Sequence, residues 1–162
     1  MVSTTSVRRS VTVAAVATLA GAALSGPASA DPVEAPVNDS GAVTAAATCG
    51  DWPWPTSATG SWTETRVSLG VGTKAAELRF GYIGGKQAGW ARLAGGYEAG
   101  DMFWFDVSHD KGKGWYQCGP FTFVDGGHNY TRAHYSSADP NLVFRACGRA
   151  KNSSSTHCTA WR

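Results

Sequence analysis

The sequence predicts an all-β protein: a small antiparallel β-sandwich or barrel of about eight short strands, two disulfides and an extended N-terminal arm. Three observations lead there. From Cys49 onward, short apolar runs alternate with polar residues at a period of two. Glycine-rich turns, among them Gly84-Gly85, Gly95-Gly96 and Gly126-Gly127, separate those runs. Four cysteines, an even number, follow what reads as an export signal. No segment shows helical periodicity with caps, and no repeat recurs at a fixed period.

The chain has 162 residues. Residues 1–30 read as a secretory signal. Arg8 and Arg9 supply the positive start, Val11 to Leu24 an apolar run of fourteen, and Ala28-Ser29-Ala30 the cleavage site. The run is short for a bilayer span, which needs about 20 residues. The full chain carries 14 Lys+Arg and 12 Asp+Glu. Without Arg8 and Arg9, the 132 residues from Asp31 on are electrically balanced, 12 basic against 12 acidic. That balance argues against nucleic-acid binding, which draws on phosphate neutralisation, and against membrane attachment or insertion. All seven Trp, six Phe and five Tyr lie beyond the signal, an apolar payload that a disordered chain would lack.

Residues 31–48 differ from the rest, with no aromatic, no Leu and no Ile, and with Pro32 and Pro36 against a helix. One reading is a flexible linker. The other is a docking strand: Ala42 to Thr48 is small and extended-compatible, suited to a partner's groove or a sheet edge. On that reading Val43, Thr44, Ala45 and Ala46 make the contact.

Residues 49–162 form the single β-domain. Expected strands are Trp62–Leu69, with Thr63, Thr65, Val67 and Leu69 on one side, and Ala75–Ile83, with Ala76, Leu78, Phe80 and Tyr82 opposite Glu77 and Arg79. Then come Ala88–Ala94, Met102–Val107, Trp115–Cys118, Phe121–Val124, Asn129–Tyr135, Leu142–Cys147 and an edge strand at Cys158–Trp161. Export implies an oxidising compartment, so Cys49, Cys118, Cys147 and Cys158 are expected as two disulfides. Their spacings of 69, 29 and 11 contain no C-x-x-C zinc or redox motif. The polar stretch 148–157 can loop back to join Cys147 to Cys158, which leaves Cys49 for Cys118.

Ser108-His109-Asp110-Lys111-Gly112-Lys113-Gly114-Trp115 resembles the Asp-box, S-x-D-x-G-x-T-W, of hairpins in sialidases and other secreted β proteins. Ser108, Asp110, Gly112 and Trp115 match, and Gly114 departs where Thr is usual. The resemblance implies an architectural hairpin: Asp110 accepts backbone N–H bonds, Gly112 supplies positive φ, and Trp115 folds under the loop. Asp106-x-Ser108-x-Asp110 has calcium-loop spacing, but Gly112 is one place late and no Glu closes the loop. Ser108, His109 and Asp110 are adjacent on a turn and cannot converge as a triad. His128, His134 and His157 follow no metal-ligand pattern. Glu98 and Asp101 would serve as a glycosidase pair only if the fold set them about 5–9 Å apart. No metal and no cofactor is therefore expected. In Cys49-Gly50-Asp51-Trp52-Pro53-Trp54-Pro55, alternating Trp and Pro favours an extended path holding two rings, as contact surfaces for sugar or protein or as cover for the core.

The pieces Ala76-Glu77-Leu78-Arg79-Phe80, Gly89-Trp90-Ala91-Arg92-Leu93, Phe144-Arg145-Ala146-Cys147-Gly148-Arg149 and Cys158-Thr159-Ala160-Trp161 resemble a group of small secreted actinobacterial proteins with a disulfide-stapled β-domain. The E-L-R-aromatic and W-A-R-L pieces are also similar to a domain of unknown function common in that phylum. Some proteins of this kind are adaptors in secreted toxin particles, where an extended N-terminal arm docks into a partner's cleft. The resemblance implies a non-catalytic adaptor docking on a secreted protein through residues 31–48, with Trp52 and Trp54 as a second contact. The alternatives are a carbohydrate or cell-wall binding module using exposed Trp, and a small secreted hydrolase.

Overall fold

The computed structural model describes residues 49–162. The signal and the arm, with Val43, Thr44, Ala45 and Ala46, lie outside the described residues.

After a short 3-10 turn at Pro55–Ser57, eight strands follow among the described residues: β1 (Thr59–Ser68), β2 (Ala75–Ile83), β3 (Lys86–Ala94), β4 (Met102–Ser108), β5 (Tyr116–Thr122), β6 (His134–Tyr135), β7 (Val143–Arg149) and β8 (His157–Cys158). They form two four-stranded antiparallel sheets, ordered β1-β2-β3-β6 and β5-β4-β7-β8. The alternating residues of each inner face meet between them: Leu69, Leu78 and Leu93 from the first layer, Phe103, Phe105, Val107 and Phe144 from the second, all 2 % exposed or less. Each such side chain contributes roughly 1.5–3 kcal/mol of burial free energy. Phe144 reaches across to the first sheet because Gly89 has no side chain; a Cβ there would stand 3.0 Å from the Phe144 ring.

The expected pairing of cysteines forms, Cys49 to Cys118 and Cys147 to Cys158. The second bond joins residues directly opposite each other on β7 and β8.

Four local expectations change. In β1 the register slips between Thr63 and Thr65, where Glu64 is the extra residue. The bulge reverses the alternation, so Trp62 rather than Thr63 faces inward and stacks on Phe80 at 5.8 Å. The two runs expected around Gly119 are one strand, β5, which starts at Tyr116 rather than Trp115. It tolerates Pro120 because β5 is an edge strand and needs no outward N–H. The expected strand 129–135 pairs regularly only at His134–Tyr135. Further back, Leu93 N–H donates to Asn129 O, Thr131 N–H to Ala91 O, and Ala91 N–H to the Thr131 hydroxyl, a side chain standing in for main chain. The last strand ends at Cys158, but the tail stays paired to β7, with Phe144 and Arg162 exchanging both backbone bonds.

In β2, Glu77 and Arg79 stand on the face opposite Leu78 and Phe80 as expected, and this face is covered as well: Glu77 is 6 % exposed. Trp90, Ile83, Ala88 and Ala133 make a second small core there, with Ala58 and Tyr130 packed against it.

Candidate functional site

The Trp-Pro-Trp-Pro segment follows an extended path, and Trp54 has φ −78° and ψ 138°, in the polyproline region. Its start is fixed by Cys49, buried and bonded to Cys118. Its middle is fixed by Ala133 N–H donating to Pro53 O at 2.8 Å and by Arg132 Nη1 donating to Trp52 O at 2.7 Å. The two rings then part. Trp52 turns inward, edge-on to Phe105 at 6.1 Å and to His134 at 4.7 Å, and covers the end of the core. Trp54 turns outward and is 38 % exposed.

Trp54 does not stand alone. The Arg132 guanidinium lies 4.7 Å from its ring, His128 5.3 Å and Tyr130 6.3 Å. The Arg132 guanidinium thereby bonds the Trp52 carbonyl and lies over the Trp54 ring at once. Sequence reading pointed to Trp54 but missed His128, Tyr130 and Arg132. They alternate in the irregular 128–132 segment, and the backbone bonds of that segment to β3 set their side.

The 108–115 hairpin is organised by Ser108, which is fully buried. Its hydroxyl accepts from Gly112 N–H at 2.8 Å and Asp110 N–H at 3.2 Å, and donates to Asp110 Oδ1 at 2.7 Å. Gly114 N–H also donates to Asp110 Oδ1 at 2.8 Å. The Gly114 amide bond and the Ser108 hydroxyl hold the exposed Asp110 carboxyl below its ordinary pKa. Trp115 does not fold under the loop: it is 48 % exposed. Trp161 packs on the loop instead, its Nε1 2.6 Å from where a Gly112 Cβ would sit. Between the two indoles lies Arg145, 4.7 Å from Trp115 and 4.4 Å from Trp161. A notch of about 310 Å³ opens beside Trp115 and Tyr116.

Of the acidic residues weighed for chemistry, Glu98, Asp101 and Asp106 are engaged in ion pairs. Lys74 Nζ bonds Glu98 at 2.7 Å and Asp101 at 2.9 Å, bringing the two carboxylates onto one buried cation. Asp106 does not join Asp110 as a cation loop; it is fully buried on the face of β4 opposite Phe105 and pairs with Arg145. Asp106 also groups with Cys147 and Cys158, whose sulfurs are bonded to each other. His134 and His109 come within 5.9 Å. Burial first, and then His109, hold the His134 pKa below the ordinary histidine value, against a bond to the Tyr135 carbonyl at 2.8 Å.

No family model matches the chain, and comparisons with curated proteins and with solved structures find no match either. No helix among the described residues is long and apolar enough to cross a membrane.

Proposed function

We propose that this protein is a secreted, non-catalytic binding protein of the adaptor type, which docks on a secreted protein through residues 31–48 and the Trp54 corner. One observation carries the reading. The segment 31–48 leads directly into Cys49, and Cys49 is pinned to the body of the domain five residues before the exposed Trp54 ring. The chain therefore leaves the domain at a fixed point five residues from a Trp–Arg–Tyr surface, the composition of binding hot spots. Rigid anchoring at both Cys49 and Trp54 keeps the ordering cost to the segment itself. The two disulfides agree with an extracellular setting.

The test compares three forms: full-length, lacking residues 31–48, and Trp54→Ala. Each is added to native culture supernatant and recovered. The expected result is a partner retained in stoichiometric amount by the full-length protein, lost without the segment and weakened at least tenfold by Trp54→Ala, at unchanged melting temperature. Equal recovery by all three overturns the adaptor reading. The exposed Trp115, clamped by Arg145 beside the notch, favours a second reading, a carbohydrate or cell-wall binding module. Retention on insoluble polysaccharide that Trp115→Ala abolishes would put that reading first.

A further inference from the structure

The covered outer face of the first sheet holds a cleft that the docking reading does not use. Trp90 of β3 closes its floor, lying across Gly81 of β2 so tightly that a Cβ there would stand 3.0 Å from the indole. Ser61, Arg79, Arg92 and Tyr130 form the walls, and Thr56 stands at the rim. Its volume is about 320 Å³, at the low end of the roughly 300–1,000 Å³ of small-molecule sites, which suits one small ring compound.

Charge in this cleft is unbalanced. Glu77 Oε2 accepts from Arg92 Nε at 3.2 Å and Nη2 at 2.6 Å, and lies 3.7 Å from Arg79 Nη1. Two guanidinium groups thus share one carboxylate, and among the described residues no other carboxylate lies within ion-pair distance of either. Arg79 turns Nη1 to the Thr63 hydroxyl at 2.7 Å and Nη2 to the Ser61 hydroxyl at 3.2 Å, and its buried Nε has no partner. Burial, and next the neighbouring Arg92, push the Arg79 pKa below the ordinary arginine value, with Glu77 only partly opposing. A second carboxylate would relieve the repulsion between the two guanidinium groups.

We propose that this cleft binds a small carboxylate-bearing ring compound, an acidic sugar of the hexuronate type. The surplus is one positive charge, which matches a monoanion better than a phosphate dianion. Tyr130 offers an aromatic wall to the apolar face of a sugar ring, and the Ser61 and Thr56 hydroxyls can exchange hydrogen bonds with its hydroxyls. The site shares only Tyr130 with the Trp54 corner and needs neither residues 31–48 nor a protein partner.

The test is a titration of the full-length protein, followed by the amide, indole and guanidinium signals in proton–nitrogen NMR. The probes are galacturonate, its neutral parent galactose, and acetate. Galacturonate is expected to shift the Trp90 indole and Arg92 Nε–H signals, at least tenfold more tightly than galactose or acetate, and the affinity is expected to fall with added salt. Arg92→Gln risks the fold, because it strips the buried Glu77 of its nearest partner. Ser61→Glu is the safer variant: Ser61 is exposed, and a carboxylate there lies beside Arg79 and fills the site from within. It is expected to abolish the galacturonate shifts at unchanged melting temperature. Equal responses to galactose, equal affinity for acetate, no response to galacturonate, or binding that survives Ser61→Glu would each overturn the proposal.

Discussion

Arg145 donates its Nε–H to Asp106 across 2.8 Å, and the two residues stand directly opposite each other on β7 and β4. Asp106 is completely buried, and among the described residues its second oxygen has no hydrogen-bond partner and Arg145 is its one ion-pair partner. The outer part of Arg145 lies between Trp115 and Trp161. One side chain therefore links a buried carboxylate of β4 to the hairpin beside it. Burial pushes the Asp106 carboxyl above its ordinary pKa, and the Arg145 bond and charge only partly pull it back.

Removing that arginine should be costly and pH-dependent. Arg145→Ala is expected to lose roughly 3–5 kcal/mol at pH 7, the usual penalty for stranding one member of a buried pair. The deficit should shrink on acidification. The folded variant holds Asp106 at a raised pKa, so between the unfolded and folded values the native state binds more protons and its stability rises as pH falls. Urea unfolding at pH 7 and pH 5 checks this; an equal deficit at both pH values would argue against it.

Asp101 works in the opposite direction. Burial would raise its carboxyl, but the Lys151 and Glu98 amides and the Lys74 ammonium outweigh that and hold its pKa below the ordinary value. Its stabilisation is then present above the unfolded-chain pKa and lost as pH falls through the lower folded value. The Lys74 pKa is raised, chiefly by its bond to Glu98, so its share persists through neutral pH and disappears only above the ordinary lysine range. Asp101→Asn should flatten the dependence of stability on pH between about pH 2 and pH 5, measured by denaturant midpoints.

The hairpin offers a graded pair of variants. Gly112 has φ +87°, and a methyl group there would collide with Trp161. Gly112→Ala is expected to cost more than about 1 kcal/mol from backbone conformation alone, with the collision added. Asp110→Ala removes the bonds from Ser108 and Gly114 but sits in water, so it should lower the melting temperature less. Binding to a partner or glycan, measured well below the transition, should survive Asp110→Ala; its loss at full stability would make the loop part of the binding surface.

Reduction of the protein should add about 4 Da, and the unreduced protein should resist alkylation. In the chain-entropy model, replacing Cys147 and Cys158 should cost about 3 kcal/mol, and replacing Cys49 and Cys118 somewhat over 4, because the second bond closes the longer loop. Loss of Cys49–Cys118 should also release the Trp54 corner, seen as weaker protection of the Trp52 and Trp54 amides from hydrogen exchange. A Cys118–Cys147 peptide in the mapped digest would contradict the pairing.

Period-two alternation by itself determined the all-β class, the limits of β2 and most of β4 and β7, and the buried Ala76, Leu78 and Phe80 of β2 and Phe103, Phe105 and Val107 of β4, though Tyr82, grouped with the first set, is exposed; neighbouring side chains on a strand must point to opposite faces. Four cysteines with one short polar loop were enough to favour the observed pairing. Alternation does not say what covers the other face. The cover over Glu77 and Arg79 leaves no local trace, because the Pro55 turn and the 130–133 segment come from about 20 residues before and about 50 after. Nor does it survive an inserted residue: Glu64 bulges, and Trp62 changes sides. The Asp-box pattern located the hairpin, but the ring packed on Gly112 is Trp161, brought back by the tail's pairing with β7. The cleft of Arg79, Arg92 and Tyr130 likewise exists only where three segments converge. Such placements depend on long-range pairing and close packing, which act between residues far apart in the chain and leave no periodic trace in the local sequence.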